Sequence, residues 1–527
     1  MSVKQDTSSA HGPDPGSSAP TVSRRELVVI LSGLLIAVLL AALDQLVLST
    51  ALPAIVGDLG GVDQMLWVTT SYLIAMTIVM PVYGKVGDVI GHKVPLLTGL
   101  LIFLAGSVLG GLANGMGMLV AARAVQGLGA GGLMILAQAV IADLAPPRQR
   151  SKYMGIVGTV WPVASVVGPL LGGWFADGIG WRWAFWYNLP LGLIAIAAAA
   201  IFLKMPLKKP ERFKIDVAGI STMAIAVTAV VMVTSWAGRE YAWGSPIILG
   251  LIGLAVVAAI VFVLMEKRAV EPVMPLHLFR DRNFNLATLG ALLVSVPMFG
   301  LIAYMPSYLQ MSADLSATNS GLLLVTLEAG ITGAALTTGF LAARTGRYKW
   351  MPIASCFIMA LGLFLLSRLV VGSALVAIGA YLFIFGAGIG LSVQIFVLIV
   401  QNSFPLAQVG TATAANNFFR EIGAALGSAV VGTLFTHRLM SLLGERLPAA
   451  TGGSSVVVDA KSLTPALVDR LPAGAQEAVV TSYSDALTPV FLYLVPMMII
   501  AGIMLFFIQE KPLAVSNVAP EEARMGG

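Results

Sequence analysis

The sequence predicts an all-α polytopic membrane protein: two six-helix bundles related by a parallel repeat, with two further transmembrane helices inserted between them. Three observations carry this. Hydrophobic residues make up 57% of the 527-residue chain and charged ones 11%, where a soluble chain carries about 25% charge; mean hydropathy is +0.89. Long stretches hold no charge at all, among them 27–43, 94–122, 217–238 and 245–265, and about 20 apolar residues suffice to cross the hydrocarbon core as a helix. Finally, the first 195 residues return in diverged form about 255 positions later. Gly84 and Gly91 in GKVGDVIGHK return as Gly339 and Gly346 in GFLAARTGRY, and GPLLGG from Gly168 returns as GAALGS from Gly423, all offset by 255. Pro53 returns as Pro306, offset by 253. In membrane chains built from parallel repeats, the substrate path runs between the halves.

Taken in order, the apolar segments fall at 27–50, 65–84, 94–113, 117–142, 154–177, 184–203, 216–237, 246–265, 284–311, 319–343, 350–368, 374–401, 410–436 and 488–509. Spans 1–6 (27–203) and 9–14 (284–509) form the repeat. Spans 7 and 8, within 204–283, have no counterpart and are flanked by the basic linkers KMPLKKPERFK and EKRAVEPVMPLHLFRDR, so they read as an insertion. The first segment is too long for a signal-peptide core and is read as a retained span. Residues 1–26 are expected to form a disordered cytoplasmic tail and 510–527 a second tail. The stretch 437–487, mixing Gly, Ser, Pro and both charges, is expected to be a mobile external loop. With the N-terminus inside, the short inner loops hold 17 basic residues, from Lys85 to Lys349, against only Arg182, Arg239 and Arg368 outside. The positive-inside rule then places both termini in the cytoplasm of a cell-membrane protein. The net charge of +5 is thus a topology signal, and no nucleic-acid partner is expected.

Ionisable groups within spans are costly, so each asks for a reason. They are Asp44 in span 1, Arg123 in span 4, Glu328 in span 10, and Arg420 with Glu421 in span 13. Burial raises a carboxylate's affinity for protons and a nearby arginine lowers it, so a carboxylate between those influences can load and release protons near neutral pH. Asp44, Glu328 and Glu421 are therefore the proton-coupling or substrate-contact candidates. Arg123 and Arg420, which do not deprotonate, are expected to orient them. The alternative for each is an ion pair that only fixes helix packing.

Span 5 reads WPVASVVGPLLGG from Trp161. Pro162 and Pro169 bend it, and Gly168 and Gly172 allow a neighbouring helix to approach closely, which suits a rocking interface. QGLGAGG at 126–132 lies inside an apolar span after no strand and has FGAGIG at 385–390 as its repeat partner, so it reads as helix packing rather than a phosphate loop. No Walker sequence is present. His11, His92, His277 and His437 share no spacing, and Cys356 stands alone within an apolar run, so neither a metal site nor a cofactor is expected.

These motifs together resemble the major facilitator superfamily, and more narrowly its fourteen-span drug:proton antiporter branch of the EmrB/QacA type. LDQLVLSTALP (43–53) is similar to the branch's span-1 motif, with Asp44 at the acidic position. GKVGDVIGHK (84–93) resembles the loop 2–3 signature, with Gly84, Asp88 and Gly91 in place but Val89 and His92 where arginines are usual, a departure that implies a weaker cytoplasmic charge lock. RAVQG from Arg123 resembles the span-4 motif, whose arginine is linked to proton transfer. GPLLGG (168–173) is similar to the span-5 antiporter motif, and WRWAFWYNLPLG (181–192) resembles the marker at the start of span 6.

The resemblance implies export of hydrophobic, often cationic small molecules, driven by inward proton flow, in a lipid bilayer and by a single chain without enzymatic activity. The cavity is expected near the midplane between the halves. Its walls are drawn from Trp67, Tyr72, Met76, Phe299, Tyr304 and Tyr308, with Glu328 as substrate counter-ion. Asp88 belongs to the gate, pairing with a basic residue or a helix N-terminus on the cytoplasmic side. The rival readings are a dedicated exporter of one host metabolite (an antibiotic, a lipid or an amino acid) and a non-transporting receptor or scaffold. The buried charges weigh against the second.

Overall fold

A computed structural model describes residues 24–204, 214–238, 240–313, 315–450, 465–468 and 470–513. Among them thirteen helices are long and apolar enough to cross a membrane, and a fourteenth, Trp350–Leu366, is apolar but shorter. Spans 1–6 are Arg25–Leu59, Val62–Ile90, Lys93–Gly111, Met116–Leu144, Pro147–Ile179 and Trp183–Phe202. Spans 7 and 8 are Val217–Trp236 and Pro246–Glu266. Spans 9–14 are Arg282–Ser312, Thr318–Thr345, Trp350–Leu366, Leu375–Gln401, Leu406–Leu447 and Ala473–Leu505. The all-α class and the order of spans agree with the sequence reading.

The neighbour pattern of the first half recurs in the second. Span 1 packs on spans 5 and 6, as span 9 packs on 13 and 14; span 4 packs on 2 and 3, as span 12 packs on 10 and 11; span 3 meets 6 as 11 meets 14. The halves touch chiefly through span 2 against 13 and span 5 against 10. Spans 7 and 8 form a hairpin in which span 7 also touches spans 2 and 13. Span 8 has few buried residues, as a helix apolar on every side would if lipid covered it.

Local chemistry explains the irregularities. Span 5 breaks into Pro147–Val157 and Val160–Trp174; Pro162 has no N–H to offer the carbonyl of Gly158, so the ladder is interrupted at that turn. Gly91 and Gly346, repeat partners, both adopt positive φ (93° and 72°) and stop spans 2 and 10, a conformation that favours glycine.

The external loop read at 437–487 is corrected at both ends, while its residues 451–464 and 469 lie outside the described residues. Helix continues from span 13 to Ala450, and span 14 opens at Ala473. Leu439, Leu443 and Leu447 are buried at intervals of four, alongside Ala475, Val479 and Tyr483, an apolar stripe that stabilises a helix although its charges dilute the average hydropathy. Arg446 Nη2 meets Asp485 Oδ2 at 2.7 Å and ties the two extensions together. The proposed tail at 510–527 is also partly pinned: Lys511 N donates to the Tyr348 hydroxyl at 3.0 Å, and Leu513 is buried. The proposed tails' residues 1–23 and 514–527, and residues 205–213 of the linker, lie outside the described residues.

Candidate functional site

We call the face where the described chain begins and ends the basic face, after the loops that carry Lys85, Arg148 and Arg347, and the opposite one the far face. Between the halves lies a cavity of about 240 Å³ whose lining comes from spans 1, 2, 4, 5, 9, 10, 12 and 13. Its walls are mostly aliphatic and sulfur-bearing side chains, including Met76, Met80, Met134 and Met298, with Tyr72, Trp161 and Phe299. Such walls adapt to varied apolar shapes. Arg420 and Glu421 are the charged residues among the lining, joined at 2.9 Å. Gln45, Gln394 and Ser428 add neutral polar groups.

Asp44 lies one layer behind this wall. Ala41, Ala42 and Gln45 of the same span line the cavity, whereas Asp44 itself is 0% exposed. Its carboxylate accepts from Arg123 Nη1, from Gln126 Nε2 at 3.0 Å and from Asn188 Nδ2 at 2.9 Å. Ser107 Oγ accepts from the same two amides, at 2.9 and 3.2 Å. The Arg123 guanidinium lies 4.1 Å from the centre of the Tyr72 ring, and Tyr72 in turn faces the cavity. A buried ion pair needs its remaining hydrogen-bonding capacity met; Gln126 and Asn188 meet the carboxylate's, whereas Arg123 Nε is buried without a partner among the described residues. Asn188 Oδ1 is buried without a donor among the described residues, so a turn of its amide would offer a protonated Asp44 an acceptor.

Below the cavity the halves close on the basic face. Asp88 Oδ1 accepts from Gly410 N at 2.9 Å, and its Oδ2 from Thr411 N at 2.7 Å and Thr411 Oγ1 at 2.6 Å. This places a carboxylate on the N-terminal end of span 13, where free N–H groups and the helix dipole favour negative charge. At the opposite crossing the charges reverse: Arg148 donates to the carbonyls of Ala343 and Arg344 at 2.8 and 2.6 Å, at the C-terminal end of span 10. Each crossing is also a glycine contact. A Cβ on Gly84 would come within 2.6 Å of Gly410 O, and one on Gly339 within 2.9 Å of Gly155 Cα. These four positions form two repeat pairs, 84 with 339 and 155 with 410, so one backbone contact occurs twice. Above it, Gln138 of span 4 bridges the halves, accepting at Oε1 from Asn417 Nδ2 at 3.0 Å.

His92 completes this latch. It is buried, with Nδ1 2.6 Å from Asp143 of span 4, Nε2 3.4 Å from Asp88 of span 2, and the backbone of Gly410 on its third side. Burial pushes the imidazole down, but the hydrogen bond to Asp143, the nearness of Asp88 and the charges of both outweigh it and raise it from 6.5 to about 9. A group raised in this way contributes folded-state stability that is fully present below about pH 6.5 and is lost as pH rises through about 9. Both carboxylates belong to the same half as His92, so the melting temperature of the wild type should fall between those pH values. His92→Arg should flatten the response, and a flat wild-type profile would remove His92 from this ion-pair cluster.

Other sequence candidates fall elsewhere. Glu328 does not line the cavity; it meets Ser165 where spans 10 and 5 touch, because its azimuth on span 10 turns it toward the other half. Tyr308 is buried in the second half's core. Trp67 stacks edge-on against Trp236 at the far end, 5.8 Å between ring centres. Tyr304 lines an upper pocket of about 300 Å³, with Thr70, Thr234 and Thr433, that shares Leu73, Ala425 and Ser428 with the central cavity. Gly168 and Gly172, expected at a rocking interface, pack instead on Leu46 and Thr50 of span 1 in their own half. Tyr72, Met76 and Phe299 do line the cavity. Sequence reasoning missed Ser107, Gln126 and Asn188. Their one signal is a polar side chain in an apolar run.

A two-bundle helical fold with an apolar cavity between the halves and ion pairs inside the spans is the architecture of a membrane transporter. The chain belongs to the Major Facilitator Superfamily, whose family model matches residues 34–428. It is 39% identical to an uncharacterised MFS-type transporter of Mycobacterium tuberculosis over 95% of this chain and 73% of that one. It is 34% identical to the multidrug transporter protein MdtP of Bacillus subtilis over 95% of each. The fold is similar to that of the proton:xylose symporter XylE, with a TM-score of 0.59, 14% identity, and coverage of 93% of this chain and 98% of that one.

Proposed function

We propose that the chain is a proton-driven exporter of hydrophobic, often cationic compounds, of the fourteen-span drug:proton antiporter branch, with its basic face in the cytoplasm of the cell membrane. The observation that carries this reading is Asp44, a fully buried carboxylate paired with Arg123 just behind an apolar cavity between two repeated halves. Similarity to a relative named as a multidrug transporter supports the breadth of substrate. One chain contains both halves and so suffices.

With the basic face latched, the outward route runs from the cavity past Leu73, Ala425 and Ser428, which also line the upper pocket, and it opens when the far end parts. In that state substrate leaves outward and a proton reaches Asp44, whose neutralisation frees Arg123 toward Gln126 and Tyr72. Opening the basic face to a less acidic cytosol draws the proton off, the Asp44–Arg123 pair re-forms, and substrate enters. Each proton crossing 100 mV supplies roughly 2.3 kcal/mol. The test is purified protein in liposomes with an imposed pH gradient. Ethidium is expected to accumulate against its gradient and to drive counter-movement of protons; no substrate-dependent proton movement would end the reading.

Release requires the far end to part. Trp67→Cys with Trp236→Cys, joined by a short reducible thiol cross-linker, is expected to slow efflux on the order of tenfold or more, with recovery on reduction. Cys356 is buried and stays silent. Normal efflux from the bridged protein would mean that spans 2 and 7 move as one body.

A further inference from the structure

The charges that line the central cavity belong to one ion pair, and its geometry is poor. Arg420 and Glu421 are consecutive on span 13, and adjacent helical residues do not naturally face each other. They meet through a single contact, Arg420 Nη2 to Glu421 Oε1 at 2.9 Å. The same nitrogen lies 3.6 Å from the Met134 sulfur, a weak acceptor. Arg420 Nε is buried without a hydrogen-bond partner among the described residues. A guanidinium offers five donors in a rigid fork suited to a carboxylate, and here part of that fork is idle beside the cavity.

A bare cation drawn to Glu421 would compete for the one carboxylate partner of the part-buried Arg420, and a bare anion on Arg420 would do the same to Glu421. Either exchange weakens a pairing in a mostly apolar wall. A molecule bearing both signs avoids that cost, because its anion takes the Arg420 fork, its cation takes Glu421, and one ion pair is exchanged for another without adding net charge. Met76, Met134, Met298, Trp161 and Phe299 supply the apolar wall for the rest of such a molecule.

We propose that the cavity selects amphoteric lipophilic substrates, Arg420 anchoring the anionic group and Glu421 the cationic one. This rests on the reading that the cavity is the transport site, and it names the substrate class that site prefers. The test is equilibrium binding of full-length protein in lipid nanodiscs to ciprofloxacin, a carboxylate joined to a protonated amine, and to its ethyl ester, which lacks the carboxylate. The acid is expected to bind at least tenfold more tightly than the ester. Arg420→Gln is expected to bring that ratio to within about twofold, Arg420→Lys to retain part of it, and Glu421→Gln to weaken both ligands. Equal binding of acid and ester, no binding of either, or a ratio that survives Arg420→Gln overturns the proposal. Binding involves no proton gradient. A large acid-to-ester ratio without substrate-driven proton flux would uphold this inference and defeat proton coupling; coupled transport of both ligands alike would do the reverse.

Discussion

Asp44→Asn is expected to abolish substrate-driven proton movement, a loss on the order of a hundredfold or more, while the protein still reaches the membrane. Asparagine is close to isosteric, and its Oδ1 can still accept from Gln126 and Asn188, which hold the native carboxylate at 3.0 and 2.9 Å. What disappears is the titrating charge opposite Arg123. Removing one partner of a buried pair costs about 3–5 kcal/mol, so expression and monodispersity must be measured beside transport. Gln126 Oε1, 2.8 Å from Arg123 Nη1, gives the stranded guanidinium a remaining acceptor. Coupled efflux at the wild-type rate from a well-folded Asp44→Asn protein would take Asp44 out of the mechanism.

Gly84→Leu carries the second large effect. No side chain fits where a Cβ would sit 2.6 Å from Gly410 O, so the basic face cannot close around it. Transport is expected to fall to background, with the halves held apart on that side. Ile135, 0% exposed and clustered with Met80 and Ala414 just above the crossing, reports the change. Ile135→Cys should react with an impermeant maleimide at least about tenfold faster in the Gly84→Leu background, a shift worth about 1.4 kcal/mol. Gly117→Leu, at a position with nothing within 4 Å of the added Cβ, is the control. Unchanged labelling with lost transport would place the Gly84 effect in folding.

How far the sequence could be read depended on which property carried the signal. Charge-free runs and the 255-residue offset made the helical class and the order of spans legible, because hydrocarbon thickness and repetition leave marks in one dimension. Asp44 and Arg123 were legible for the same reason, each being a charge set in an apolar run. Asn188 and Gln126 were not: a neutral amide costs too little in a single sequence to stand out, although the two supply two of the three hydrogen bonds to Asp44. Glu328 shows the opposite limit. Its depth was readable, but the direction it faces was not, since each residue turns the helix by about 100° and only packing decides which way the carboxylate points. The extensions of spans 13 and 14 were read as loop because Arg438, Glu445 and Arg446 masked the leucine stripe beside them. His92 was visible as a departure from the usual arginine. Its burial between two aspartates required the fold.

The two glycine crossings have a mechanical consequence. Where Gly84 lies on Gly410 and Gly155 on Gly339, main chain rests on main chain, and at those four positions there is no side chain to interlock. Smooth bearings of this kind can roll without unpacking a jigsaw of side chains, so the barrier to turning over resides in the few polar clasps around them. Speed and direction can then be tuned by editing those clasps while the axle stays untouched.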